Sequence, residues 1–169
     1  AHAGHTVARL KGGDPAVFGR VAEEVAALVA ARVPFEIVPG VTAALAAGSY
    51  AGIPVTHRDV ASAVALVTGQ EDAEKTSSSL DFAALAQFPG TLVFYMGVTT
   101  APQWTQALLD AGKPPDTPAA IVRRCSLPDQ QVVTTTLGEL LEQLVPASKM
   151  RPPVIVILGD VVRFGPQLS

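Results

Sequence analysis

Arg9-Leu10-Lys11-Gly12-Gly13-Asp14-Pro15-Ala16-Val17-Phe18-Gly19-Arg20 joins a short apolar run to an amphipathic one. Upstream, residues 6–10 read as a strand, with Val7 and Leu10 among its apolar positions. Downstream, Val21, Val25, Leu28 and Val29 recur at helical spacing, with Glu23 and Glu24 in the first turn; the pattern predicts a helix over 21–31. Gly-Gly-Asp-Pro is therefore a strand-to-helix turn. Its two glycines remove side chains and permit positive φ, so a ligand can approach the backbone and its N–H groups can meet oxygen atoms. A tight connection without a ligand is the plainer reading of the turn taken alone.

The pattern then repeats. Pro34 ends the helical periodicity, and Phe35-Glu36-Ile37-Val38 reads as a second strand. Pro39-Gly40 turns the chain into an alanine-rich stretch that predicts a helix from Thr42, whose hydroxyl can cap the helix or bond a ligand. Simple helix-on-sheet packing accounts for this stretch by itself. Strand, helix, strand, helix is the order of a doubly wound parallel α/β domain, whose ligands bind at the C-terminal ends of the strands. Gly12-Gly13-Asp14 and Gly40-Val41-Thr42 both follow predicted strand ends and are expected to converge there.

Residues 50–59 break periodicity and read as a hinge. The chain accordingly divides into residues 1–55, the remainder of an N-terminal parallel α/β domain, and 56–169, a mixed-sheet α/β domain, with a crevice between them. In the second part, residues 64–69 read as a buried strand and 71–79, polar and serine-rich, as a surface loop. A short helix over 82–88 and a strand over 91–97 follow. A helix over 102–111, closed by Gly112, carries Trp104, which is expected against the sheet or a partner subunit. Strands at 119–122 and 132–136 suggest an antiparallel pair with a long connection. A helix over 137–144 and a strand over 154–159 complete the domain.

Composition bounds the function. Of 169 residues, 49% are hydrophobic and 16% charged, enough apolar surface to fill a core. The net charge is −3 with no basic block, so nucleic-acid binding has no electrostatic footprint. The single cysteine, Cys125, excludes an internal disulfide and fits a reducing cytoplasm. It lies in no Cys-x-x-Cys, and no metal site is expected. No apolar run reaches about 18 residues, so no membrane span is expected. Gly4 reads as the C-cap of an absent helix, and Ala1 is not a methionine, so the chain is expected to be part of something longer.

Leu10-Lys11-Gly12-Gly13-Asp14-Pro15, with Phe18-Gly19-Arg20 and Glu23-Glu24 behind it, resembles the cofactor segment of the uroporphyrinogen-III C-methyltransferases, of the tetrapyrrole methylase family. The resemblance runs from Gly4 to about Val162. It implies two small α/β domains with the cofactor crevice between them. The cofactor would be S-adenosylmethionine, with S-adenosylhomocysteine as product. The reaction would be methylation of uroporphyrinogen III at C2 and C7 to give precorrin-2, for sirohaem or cobalamin. Cofactor contacts carried over are Gly12, Gly13, Asp14, Val17, Thr42, Ala43, Met96 within Tyr95-Met96-Gly97, Ala120 and Cys125.

Where the family commonly has Glu-Asn-Gly-Thr, this chain has Arg123-Arg124-Cys125-Ser126, which leaves only a backbone contact at Cys125. Its flanking arginines alone would suggest a lowered thiol pKa and a nucleophile, but methyl transfer from a sulfonium needs none. Gly52-Ile53-Pro54-Val55-Thr56-His57-Arg58 matches a further family segment, in which His57 and Arg58 would meet substrate carboxylates; pairing with Asp59 or with a neighbouring domain is the alternative. The family also implies a homodimer. It implies about another hundred residues upstream, with a glycine-rich loop and the proton-handling Asp and Lys, so no catalytic residue is assigned here. Asp14 reads as a cofactor or loop-ordering group. Another methylase of the same fold, or a cofactor-binding assembly module without turnover, are the rival readings.

Overall fold

The computed structural model describes residues 1–71, 78–145 and 150–165, which group into two units, Ala1–Ala43 and Ala44–Ser169. Most of the serine-rich loop expected over 71–79 falls at 72–77, outside the described residues.

The first unit contains one regular element, helix α1 (Val21–Ala30). Glu23 and Glu24 in its first turn favour the positive end of the helix dipole. At its end Arg32 takes φ 53°, and the N–H of Val33 reaches back to the Leu28 carbonyl at 3.0 Å, a Schellman closure with Pro34 just beyond. The strands expected at 6–10 and 35–38 do not form. β-propensity expresses packing and pairing with a neighbouring strand, and no described residue ladders with either segment. Their apolar side chains stay exposed, Leu10 at 82% and Val38 at 69%, and α1 buries none of its residues.

The second unit is built on five strands: β1 (Val64–Thr68), β2 (Thr91–Tyr95), β3 (Pro118–Arg123), β4 (Gln131–Thr136) and β5 (Val154–Leu158), in the order β1-β2-β5-β3-β4. β1 and β2 are parallel. β5 is antiparallel to both β2 and β3, and the expected antiparallel β3–β4 pair is present. β1, β2 and β3 therefore run the same way and finish at one end of the sheet. β1 is an edge strand and only Val67 of it is buried, not the fully buried strand expected. β2 and β5 are buried at every position, as central strands covered on both faces are.

On one face, Leu92, Phe94, Ile121, Val156 and Leu158 form a core with Val98 and with helices α3 (Phe82–Ala86), α4 (Ala101–Asp110) and α5 (Leu140–Leu144). Lys113, almost buried, donates from Nζ to the Ala86 carbonyl at 3.2 Å and so satisfies the end of α3. On the other face lie Val93, Tyr95, Ala120, Val122, Ile155 and Ile157, also buried. Helix α2 (Ala43–Tyr50) meets that face where the Ala44 N–H donates to the Tyr95 hydroxyl at 2.9 Å. A 3₁₀ helix, Asp160–Phe164, packs on β3 and β5. α2 closes with Gly52 at φ 65° and Ile53 N–H on the Gly48 carbonyl at 2.8 Å; Ile53 is fully buried, which anchors the start of the aperiodic segment.

Candidate active site

Within the first unit, the two loops that follow the predicted strand ends do meet. Gly13 takes φ 79°. A Cβ built on Gly13 would lie 3.5 Å from the Val41 carbonyl oxygen and 3.8 Å from Thr42 Cα, so Gly13 rests against the Thr42–Ala43 backbone. From the other side, a Cβ on Gly40 would sit 2.4 Å from the Gly13 carbonyl oxygen, a position no side chain can occupy. Asp14 holds the two loops together. Its Oδ1 accepts the N–H of Ala16 at 2.8 Å and its Oδ2 accepts the N–H of Gly40 at 3.0 Å. The Gly40 bond first, and the Ala16 bond second, hold this carboxyl below the usual carboxylate range. A carboxylate that already accepts two amide protons and resists protonation is a poor proton acceptor at neutral pH. Its geometry is that of a loop-ordering group.

Gly12 is exposed and Val17 half-buried, the Val17 N–H donating to the Asp14 carbonyl at 3.3 Å. Thr42 is buried and Ala43 exposed. Lys11 and Arg9 both pair with Glu24 of α1, at 3.0 and 3.1 Å, which ties the front of the loop to the helix behind it. Lys11 first, then Arg9, lowers the Glu24 pKa.

In the second unit Met96 and Cys125 follow the ends of β2 and β3, at the shared end of the sheet, whereas Ala120 lies within β3. The register aligns Thr68, Tyr95, Ile155 and Val122 in one row across the sheet. The chain leaves that row at Gly69, at Met96-Gly97 and at Arg123-Arg124-Cys125. Met96 is 48% exposed and takes φ 53°; Arg124 and Ser126 take φ 50° and 67°. Left-handed backbone at non-glycine residues is strained and gathers where a loop is held for a purpose. Ala120 is fully buried in mid-strand, on the face that carries Tyr95. Cys125 is half-buried and burial pushes its thiol pKa up, which disfavours the nucleophilic thiolate. The neighbouring arginines are engaged elsewhere: Arg124 pairs with Asp129 at 2.6 Å, and Arg123 Nε donates to the Arg151 carbonyl at 3.0 Å.

His57 stacks on Phe164 with ring centroids 4.4 Å apart, and its Nδ1 accepts the Asp59 N–H at 3.2 Å. The same Nδ1 lies 3.8 Å from Asp59 Oδ2, so the pairing with Asp59 named as the alternative is present. Arg58 is exposed. No group of three or more His, Cys, Asp or Glu among the described residues is placed to hold a metal ion, and no described helix is long and apolar enough to cross a membrane.

Sequence reasoning missed the roles of Gly69 and Tyr95; the convergence of the Gly40 loop on Gly13 and the packing of Trp104 on the sheet were expected. The Tyr-Met-Gly string pointed to Met96, whereas Tyr95 supplies the hydroxyl that holds α2.

The family of tetrapyrrole (corrin/porphyrin) methylases matches residues 1–141. An S-adenosyl-L-methionine-dependent uroporphyrinogen III methyltransferase of Methanosarcina barkeri is 48% identical over 164 residues, 97% of this chain and 64% of the relative. A siroheme synthase of Hydrogenovibrio crunogenus is 45% identical over the whole chain, which covers 35% of that protein. Among solved structures, uroporphyrin-III C-methyl transferase from Thermus thermophilus, complexed with S-adenosylhomocysteine, superposes with TM-score 0.78 at 42% identity, over 92% of this chain and 66% of its own. The chain thus spans from about a third to about two thirds of the relatives it matches.

Proposed function

We propose that this chain, which belongs to the tetrapyrrole (corrin/porphyrin) methylase family, binds S-adenosylmethionine and serves the methylation of uroporphyrinogen III at C2 and C7, giving precorrin-2. The observation that carries the reading is the clasp of two loops by Asp14, with Gly13 at φ 79° against Thr42–Ala43. The loops are fixed relative to each other by a carboxylate, and their apposed surfaces are glycine and alanine backbone. Such a cradle suits a ligand that presents a carboxylate, an amine and a sugar edge to main-chain groups.

When bound, S-adenosylmethionine supplies a methyl on a sulfonium, to which a pyrrole-type carbon adds while the sulfur keeps the bonding electron pair. The residues of this chain act by placement. We assign Gly12, Gly13, Asp14, Val17, Thr42 and Ala43 to the cofactor, and likewise Met96, Ala120 and the Cys125 backbone. Holding the two reactants in line is worth up to about 7–11 kcal/mol in the best intramolecular cases. His57 and Arg58 are assigned to substrate carboxylates. The proton displaced by methylation needs a base, which is given to no residue of this chain. The whole protein is proposed to be a homodimer.

Calorimetric titration with S-adenosylhomocysteine, followed by transfer of labelled methyl from S-adenosylmethionine to uroporphyrinogen III, tests the reading. Two labelled methyls per tetrapyrrole, at C2 and C7, are expected of the active protein. Methylation of a later corrin precursor alone would move the substrate assignment. Affinity without any transfer would leave a cofactor-binding module, and no affinity would remove the cofactor assignment itself.

A further inference from the structure

Trp104 is the chain's single tryptophan, on α4 and 2% exposed. Its ring stacks on Phe94 of β2, centroids 4.2 Å apart and planes 14° from parallel. Its Nε1–H does not point into the core. It donates to the carbonyl of Gly97 at 2.8 Å, in the turn that leaves β2. A Cβ at Gly97 would meet Trp104 Nε1 at 3.0 Å, so any side chain there would push the indole aside. Gly69, at the end of β1, is pressed closer still: its Cβ would fall 2.4 Å from Gly97 Cα. The Thr100 hydroxyl, at the start of α4, donates to the Gly69 carbonyl. The first turn of α4 therefore grips both strand ends, and the residue between the grip and β2 is Met96, exposed and at φ 53°.

We infer that Trp104 is a positioning residue for cofactor binding, acting through the Gly97 carbonyl to hold Met96 in its left-handed conformation. The inference rests on the reading of Met96 as a cofactor contact. A Met at positive φ relaxes toward ordinary backbone unless its neighbours forbid it. Here the Gly97 carbonyl is fixed from one side by the indole N–H and the Gly97 Cα is blocked from the other by Gly69. The Gly97 carbonyl belongs to the Gly97–Val98 peptide, so releasing the indole bond loosens Gly97, and through it the Met96–Gly97 peptide on which the Met96 conformation depends. The purely structural alternative is that Trp104 fills the core and its hydrogen bond is incidental.

The test uses the full chain and S-adenosylhomocysteine as probe, read by calorimetry and thermal melting. Trp104→Phe keeps the stack on Phe94 and removes the N–H. It is expected to raise the Kd about three- to tenfold, the worth of one neutral hydrogen bond. Leu108→Val, in the same helix and fully buried, should lower the melting point while leaving the Kd unchanged. In a Met96→Ala background, itself weakened, Trp104→Phe should add nothing further. If Trp104→Phe does not fold, replacing the one tryptophan by β-(3-benzothienyl)alanine, which puts sulfur in place of N–H, gives the same comparison at constant shape. An unchanged Kd in whichever Trp104 variant folds, beside a weakened Met96→Ala, would overturn the inference, as would an equal loss in the presence and absence of Met96. Met96→Ala binding like the wild type would instead overturn the cofactor reading of Met96, and this inference with it.

Discussion

At Gly13 a side chain costs about 1 kcal/mol or more in backbone strain before any ligand contact is counted, because φ is +79°. Its own chain leaves a Cβ at ordinary distance from Val41, so the strain is conformational rather than a collision. Gly13→Val is expected to shift the loop out of register, lowering affinity for S-adenosylhomocysteine more than it lowers the melting point; calorimetric titration beside a thermal scan measures both. Asp14 works through charge. Its folded pKa is depressed, so its contribution to loop order is present above the ordinary carboxylate pKa of 3.8 and is lost as pH falls through the lower folded value. Between pH 7 and 5 the clasp should not weaken. Asp14→Asn, which turns an acceptor into an NH₂ facing a backbone N–H, should weaken cofactor binding across that whole range. Gly13 and Asp14 were legible in the sequence because a turn's chemistry is local. The meeting of the Gly40 loop with them was expected from the strand order, but the Gly40 N–H bond to Asp14 and the Tyr95 bond to Ala44 were not, because the partners lie 26 and 51 residues apart.

Elements with a one-sided apolar pattern and clear caps were legible from sequence. α1 and α4 fall within a residue of expectation, and α4 is followed by Gly112 at φ 90°. Strand segments over 91–97, 119–122, 132–136 and 154–159 are also present, because runs such as Val154-Ile155-Val156-Ile157-Leu158 have few alternatives to a buried strand. What no local pattern shows is order. The last strand, β5, inserts between β2 and β3, and only long-range register reveals it. The segments 6–10 and 35–38 are the opposite case: the strand pattern is there and the partner is not. Backbone amides without a ladder exchange through small local fluctuations, whereas those of a central strand exchange only through large openings. Native-state hydrogen exchange is expected to be fast at 6–10 and 35–38 and slowest in β2 and β5. Protection at 6–10 equal to that of β5 would show that those residues pair after all.

For the whole molecule, the two units differ in what holds them. The second has central strands buried on both faces, with Phe94, Trp104, Leu108, Ile121, Leu140 and Leu158 at its core. Of residues 1–43, only Thr42 is buried, and the order of the first unit comes from Asp14, the Glu24 ion pairs with Arg9 and Lys11, and the α1 closure. Surface ion pairs contribute about 0–1 kcal/mol each, so the first unit has little to resist local opening. Proteolysis of a locally opened segment tracks how often it opens when reclosure is fast. Trypsin is therefore expected to cut first at Lys11, Arg20 or Arg32, leaving a fragment that retains β1 to β5 and melts near the temperature of the intact chain. A ligand that binds the closed loops suppresses opening by RT ln(1 + [L]/Kd), about 2.7 kcal/mol at a hundredfold excess over Kd, or about a hundredfold slower cleavage. S-adenosylhomocysteine should slow cutting at Lys11 by that order, and Gly13→Val should abolish the protection. Cleavage that begins within β2 or β5, or that proceeds at Lys11 unaffected by saturating S-adenosylhomocysteine, would contradict the division of stability or the placement of the cofactor respectively.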